Sequence, residues 1–527
     1  MIHPDIWRAR KEQAVRLKRR GGERFVWLLI AASAAVFFVT ATTSGVGLPS
    51  DSFFYLGGAE GILAGEGFAR PAADGSWKTI THFPPLYSAL IALLSIIFSI
   101  TTAARVLNLV IFVGNTLLAG FLIRQVTEEV ATGWLASLAW MTAPTLLTQH
   151  ISVLSEGLFL SFMLLILLLL HFYLKRRRIW ILIAVGLMCS LAYLVRYAGA
   201  SLFMPCVFLL LIESSQRPTR RMVKALLIMV VALTAPALWA WRNIRLIGSA
   251  SNRVLSWHPI TRMNLLEVAD TVRGWIIPFN LPTIFEVGLL VLYLLLVATV
   301  IFFALRKRLH NRSDVVDPCI GFVVILSFGI ASYLALLTVS ISLFDASIPL
   351  DDRILSPVFA LSLLLLFAFF VWTRNLYQRF SGWSTAVVLI FTTVTMIRGF
   401  QLALYSSANP SGFAAPAWQD APATDTVREL DEDVLLYSNE IDGIYLLTGR
   451  MAYLIPVEWD PVTQAERQDF PLQIATMRTR LEENDGCLVL FSSLERQGVF
   501  PPEEVLTEGL HPVREGRAAS VYCAGRP

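Results

Sequence analysis

The sequence predicts a mainly α, polytopic membrane helix bundle of about eleven transmembrane helices, followed by a small soluble α/β domain. Three observations carry this. Hydrophobic residues make up 55% of the 527 and charged residues 16%, with a mean hydropathy of +0.62, whereas soluble globular chains are about a quarter charged. Eleven apolar runs approach the length that a bilayer core requires, roughly 17–25 residues per helix. Finally, 23 of the 43 Lys and Arg residues fall in segments that would share one side of the membrane, as the positive-inside rule requires of cytoplasmic loops.

The apolar runs lie at 25–43, 104–123, 133–149, 156–174, 179–195, 198–213, 224–241, 284–305, 319–343, 354–373 and 384–404. A further apolar stretch at 84–100 opens on Pro84-Pro85. The basic segment 1–24 holds eight Lys and Arg residues and is read as a cytoplasmic N-terminus leading into a signal anchor, since no small-residue cleavage site follows it. Even-numbered spans then end inside, where Lys175-Arg176-Arg177-Arg178, Arg217/Arg220/Arg221/Lys224 and Arg306/Lys307/Arg308/Arg312 accumulate. The alternation holds only if 84–100 does not cross, so that stretch is expected as an interfacial or re-entrant helix on the outer face. Outer loops follow at 44–103, 242–283 and 344–353.

Eleven crossings place residues 405–527 outside. There, Val434–Tyr437, Cys487–Phe491 and Ala519–Cys523 read as strands and 440–448 and 471–484 as helices, the alternation of a small α/β domain. Cys487 and Cys523 sit in two of those strands, and an oxidising compartment permits a bridge between them if the strands are neighbours. Two separate buried thiols are the simpler expectation. Cys189, Cys206 and Cys319 lie in apolar runs and read as inert core residues. Compact loops point to a bacterial inner (plasma) membrane, and no nucleic-acid partner is expected.

The first outer loop concentrates the chemistry. Asp51 opens a stretch with Tyr55 and Ala59 at helical spacing, expected as an amphipathic surface helix, and His82-Phe83-Pro84-Pro85 introduces another. Glu156 opens the fourth span, where it can orient an acceptor or a cation or simply cap the helix. Arg353, between Asp351-Asp352 and a span start, can pair with two phosphate oxygens or with its acidic neighbours. Arg196 lies at a span end, where a charge is a functional suspect or snorkels to headgroups. Arg242-Asn243 is a weaker candidate. Asp351-Asp352 is the paired acid that could take a divalent cation, and no other cofactor follows from the residues.

With Asp51, Tyr55, Gly65-Glu66-Gly67, Pro84-Pro85-Leu86-Tyr87, Arg105 with Asn108, Leu154-Ser155-Glu156, Arg196-Tyr197-Ala198-Gly199, Trp241-Arg242-Asn243 and Asp351-Asp352-Arg353 in this order, the chain resembles the C-type-fold polyprenyl-phosphate-dependent glycosyltransferases. The nearest branch is that of protein O-mannosyltransferases and lipid A aminoarabinose transferases. The resemblance spans roughly residues 25–405 and implies transfer of a sugar from a polyprenyl-phosphate carrier to an acceptor hydroxyl at the outer face, with inversion. The acceptor would be a lipid, a glycan or a protein. Asp51 would serve as general base, Glu156 would orient acceptor or cation, and Arg353, Arg196, His82, Tyr55 and Arg242 would bind donor phosphate or sugar. One departure stands out: some relatives place Lys or His immediately before the Pro pair, where this chain has Phe83, with His82 one residue earlier. The alternative is an envelope lipid or sugar transporter or flippase, which would place its site at the midplane and for which no repeated halves are visible. A polysaccharide polymerase or lipid phosphotransferase fits the first loop poorly.

Overall fold

The computed structural model describes residues 4–211, 217–250, 255–310, 318–376, 381–460, 465–492 and 500–525. Among them, eight helices are long and apolar enough to cross a membrane: Gly21–Ala41, Ile100–Thr127, Glu156–Arg176, Pro218–Ile247, Thr283–Phe302, Gly321–Leu343, Ser356–Arg374 and Gly382–Ala408. Each coincides with a predicted run. The predicted 133–149 span is instead two helices, Val130–Thr142 and Pro144–Ile151, bent by 59°. The cause is local: Pro144 bars the residue before it from helical backbone, and Ala143 is extended, with ψ 117°. Two further predicted runs form apolar helices of 17 residues or fewer, Ile179–Val195 and Tyr197–Leu211, with an extended Arg196 between them. The 212–213 end of the second and the Cys319 side chain lie outside the described residues. The 84–100 stretch forms only the ten-residue helix Leu86–Ser95.

The helix Asp51–Leu63 differs from its expected form. It is not amphipathic: Ser52, Phe53, Tyr55, Leu56, Gly57, Gly58, Ala59 and Gly61 are buried around its whole circumference. Its glycines explain this. The hairpin Ala69–Pro71/Trp77–Thr79 lies so close that a Cβ at Gly61 would stand 2.1 Å from the Ala69 carbonyl oxygen, and one at Gly58 2.6 Å from the Phe68 ring. What was expected to lie flat on a bilayer is thus wrapped by its own loop.

Helix packing satisfies the broken backbone near the site. Asn108 Nδ2 donates to the Ser152 carbonyl at 2.7 Å, Ser52 Oγ to that of Val153 at 3.1 Å, and Asn115 Nδ2 to that of Gly157 at 2.8 Å. Without Ser52 the unwound Val153 would bury an unpaired carbonyl, which costs about 1–3 kcal/mol.

The C-terminal part contains a five-stranded sheet in the order Tyr453–Leu454, Leu436–Ser438, Cys487–Phe491, Ala519–Cys523, His511–Arg514. The first three strands run parallel and the others antiparallel. Helices Ile441–Thr448 and Phe470–Glu483 occupy the expected positions. Here the thiol expectation is corrected. Cys487 and Cys523 are direct cross-strand partners, 4.1 Å apart at Cα, and form a disulfide with an S–S distance of 1.99 Å. Cys189 and Cys206 are buried, as expected.

Candidate functional site

The site forms where several helix ends meet. Asp51 begins the first-loop helix and Glu156 begins a span. Arg196 occupies the break after Val195, and Arg353 sits in the turn before Ser356–Leu376. None is neighbour to another in sequence. The fold brings all four into one ion-paired cluster.

At its centre, Glu156 Oε1 accepts from Arg353 Nε and from Arg196 Nη1, each at 2.5 Å. Arg353 Nη2 also donates to Asp51 Oδ2. Glu156 is almost wholly buried, with a side chain 2% exposed, whereas Asp51 and Arg353 retain 24% and 27%. Burial works against the charge on Arg353, but Glu156 and Asp51 outweigh it and hold its pKa above the ordinary arginine value. Burial likewise opposes the charge on Arg196, and Glu156 leads the groups that raise its pKa. Burial, reinforced by Glu156 and Asp51, pushes the Tyr55 phenol well above its usual range. Its hydroxyl stands 2.7 Å from Ser155 Oγ, so Tyr55 keeps its proton.

This cluster borders a cavity of about 560 Å³. Its polar wall includes Asp51, Tyr55, His82, Arg196, Tyr333 and Arg353, and its apolar wall includes Phe83, Leu336, Leu337, Phe344, Ile348 and Pro349. Such a division suits a ligand with an anionic head and an apolar body. Five of the predicted site residues therefore share one cavity.

The other two do not line it. Glu156 holds the two arginines rather than facing the cavity, and Ser155 at its N-cap makes no side-chain cap bond. Arg242 secures the first loop: Nη1 donates to the Ile80 carbonyl at 3.1 Å and Nη2 to that of Phe68 at 3.3 Å. Asp351 and Asp352 diverge. Asp351 Oδ1 accepts the backbone N–H groups of Arg353 and Ile354, whereas Asp352 Oδ1 accepts from Trp275 Nε1 at 2.7 Å and Thr145 Oγ1 at 3.2 Å. Arg353 thus turns to the distant Asp51 and Glu156 instead of pairing with its neighbours. Among the described residues, no group of three His, Cys, Asp or Glu side chains could hold a metal ion.

Sequence reasoning missed Tyr333. Tyr333 lines the cavity and donates to the Ile354 carbonyl at 2.6 Å, fixing the turn that presents Arg353. A hydroxyl inside an apolar run was its available signal.

The model of the dolichyl-phosphate-mannose-protein mannosyltransferase family matches residues 82–241. No curated protein sequence matches the chain. Among solved structures, the undecaprenyl-phosphate-bound ArnT of Cupriavidus metallidurans aligns over 94% of this chain and 98% of its own, at 14% identity and a TM-score of 0.51. The oligosaccharyltransferase of Archaeoglobus fulgidus aligns over 88% of this chain and 68% of its own, at 15% identity and a TM-score of 0.53. The mycobacterial arabinofuranosyltransferase AftD aligns over 96% of this chain but 40% of its own, at 14% identity and a TM-score of 0.50. The chain shares their fold, the C-type architecture that the resemblance implied.

Proposed function

We propose that this chain, with its C-type glycosyltransferase fold, is a membrane glycosyltransferase that moves a sugar from a polyprenyl-phosphate carrier to an acceptor hydroxyl. The observation that carries the reading is the meeting of a carboxylate, Asp51, and two guanidiniums, Arg353 and Arg196, on one cavity with an apolar wall. The family match over residues 82–241 and the carrier lipid bound by the ArnT neighbour favour the same class. The apolar wall would receive the isoprenoid chain, and the arginines the phosphate.

In this mechanism the acceptor hydroxyl attacks the anomeric carbon from the face opposite the carrier oxygen. The bond to that oxygen breaks, and the sugar inverts. Asp51 takes the hydroxyl proton as the new bond forms, a role worth about 10²–10⁴ in rate when the base is well placed. Arg353 and Arg196 stabilise the negative charge that develops on the leaving phosphate. Glu156 contributes by keeping both guanidiniums aimed at that position. Tyr55, which keeps its proton, can donate to a substrate oxygen. His82 stands on the cavity wall against Phe54, with ring centroids 4.5 Å apart, and is placed to contact the sugar.

By the alternation of basic loops, every one of these residues belongs to the outer face, and Lys and Arg rich loops close the opposite ends of the spans. The Cys487–Cys523 disulfide supports a non-cytoplasmic C-terminal part. A domain boundary at about residue 405 agrees with the change from long apolar helices to a mixed sheet. The test of function is a mass-spectrometric comparison of envelope glycolipids and glycoproteins with and without the protein. Loss of one glycosylated species, with its unglycosylated form accumulating, is expected. Unchanged glycan profiles would overturn the reading.

A further inference from the structure

The helix that carries Asp51 is held from a direction the mechanism does not use. Its N-cap, Ser50, makes no side-chain cap bond, so its placement depends on neighbours. At the N-terminal side, Leu48 N donates to the Ser411 carbonyl at 2.9 Å and Phe413 N donates back to that of Leu48 at 2.9 Å. Gly412 permits this approach: its φ is +64°, and a Cβ there would stand 2.3 Å from the Leu48 oxygen. On the other edge, Gly47 N donates to the Ile151 carbonyl and Val153 N to that of Gly47, both at 2.9 Å. Residues 47–48 therefore bridge the segment entering the Glu156 span and the segment leading into the C-terminal part.

The helix is also gripped along its length. Phe53 and Glu60 lie two turns apart and so on one face. Both meet Tyr445, from the helix Ile441–Thr448: the Tyr445 hydroxyl donates to Glu60 Oε2, and its ring packs edge-on against Phe53 with centroids 5.0 Å apart. Burial and then the Glu60 carboxylate push the Tyr445 phenol well above its usual range, so it stays a donor. The Arg70 guanidinium lies 4.9 Å from the Phe53 ring centroid; burial lowers its pKa, and Asp442 on the same C-terminal helix acts against that lowering. On the far side, Phe54 stacks on Phe83 at 5.1 Å, and Phe83 lines the cavity. A continuous set of contacts runs from Tyr445 to the cavity wall.

We propose that Tyr445 is a positioning residue for Asp51, and that the C-terminal part acts as a clamp on the helix Asp51–Leu63, fixing where the carboxylate stands in the cavity. The catalytic half of this inference rests on Asp51 being the base. The physical need is clear, since a displacement of about 1 Å at a catalytic group can cost about a hundredfold in rate. The clamp adds no group to the chemistry. It reduces the positions that Asp51 samples.

The test uses the full chain in detergent and compares wild type with Tyr445→Phe, which removes one hydroxyl and keeps the ring. Hydrogen–deuterium exchange across residues 51–63 is expected to rise about tenfold, the opening expected from losing one hydrogen bond to a carboxylate. Exchange in 156–176 should be unchanged, and binding of undecaprenyl phosphate, the probe, should stay within about twofold because both arginines are intact. Tyr445→Ala, which also removes the ring from Phe53, should raise exchange in 51–63 further. Turnover is followed as release of undecaprenyl phosphate from sugar-linked carrier lipids extracted from the source membrane. Tyr445→Phe should lower kcat by about tenfold with KM little changed, and should add no further loss in an Asp51→Asn background. Unchanged exchange in 51–63 for both Tyr445 variants overturns the clamp, whatever Asp51→Asn does. Raised exchange with an undiminished kcat, or an equal further loss in the Asp51→Asn background, overturns the positioning role. Wild-type turnover in Asp51→Asn alone overturns the base, whatever the exchange shows.

Discussion

Glu156→Gln removes one negative charge and almost no volume from behind the two arginines. In the wild type, one carboxylate oxygen takes both Arg353 Nε and Arg196 Nη1 at 2.5 Å, at a position only 2% exposed. Removing one member of a buried ionic network typically costs about 3–5 kcal/mol, because the remaining charge stays buried without compensation. Two features moderate this. Asp51 still pairs with Arg353, and the glutamine carbonyl can still accept from one guanidinium, so about 3 kcal/mol is expected. In a chain of this length that loss reads as a fall of about 3 °C in Tm, measured by intrinsic-fluorescence melting in detergent. Phosphate affinity should respond in the opposite sense. The cluster passes from balanced to net positive, so undecaprenyl phosphate should bind at least as tightly as to wild type, measured by calorimetry on the same sample. Unchanged melting together with lost binding would refute the reasoning, because it would make Glu156 a direct ligand contact rather than the support of two arginines.

Further outcomes follow from other parts of the molecule. Arg353→Lys keeps a charge but cannot span Glu156 and Asp51 with one planar fork, so carrier-lipid affinity should fall about tenfold or more while the fold survives; unchanged affinity even in Arg353→Ala would make the residue structural. Cys487→Ser opens a disulfide whose cysteines are 36 residues apart. Chain entropy puts the cost at about 3–4 kcal/mol, and limited proteolysis should cut the C-terminal part first; full thiol labelling of the unreduced, unfolded wild type would show there is no bridge. Reporter fusions after residues 176 and 308 should read cytoplasmic and those after 265 and 430 external. A cytoplasmic reading at 430 would place the proposed site on the wrong side.

Much of the fold was legible because it depends on local quantities. Eight of the predicted apolar runs coincide with helices long and apolar enough to cross a membrane, since bilayer crossing requires length and apolarity in one continuous segment. Asp51, Glu156, Arg196 and Arg353 were legible as candidates because a charge at a span end is costly unless it is used or paired. Their partners were not. That Arg353 would ignore Asp351 and Asp352 for Asp51 and Glu156 depends on helix packing across some two or three hundred residues of sequence. The placement of Arg242 was hidden for the same reason: nothing near it indicates that its acceptors are the Ile80 and Phe68 carbonyls. The Pro144 break was legible in principle, because Ala143-Pro144 lies within the run, yet the apolar character of the whole stretch masked it. The Cys487–Cys523 pairing followed from sheet order, which two isolated strand patterns do not specify.

The account turns on Asp51 as the base that deprotonates the acceptor. The most direct measurement is turnover of Asp51→Asn in the reconstituted full chain, with carrier-lipid binding determined on the same preparation. Asparagine keeps the shape and removes the basicity. The account predicts a loss of about 10²–10⁴ in kcat, with undecaprenyl phosphate still bound through Arg353 and Arg196. Wild-type kcat in that variant would contradict it.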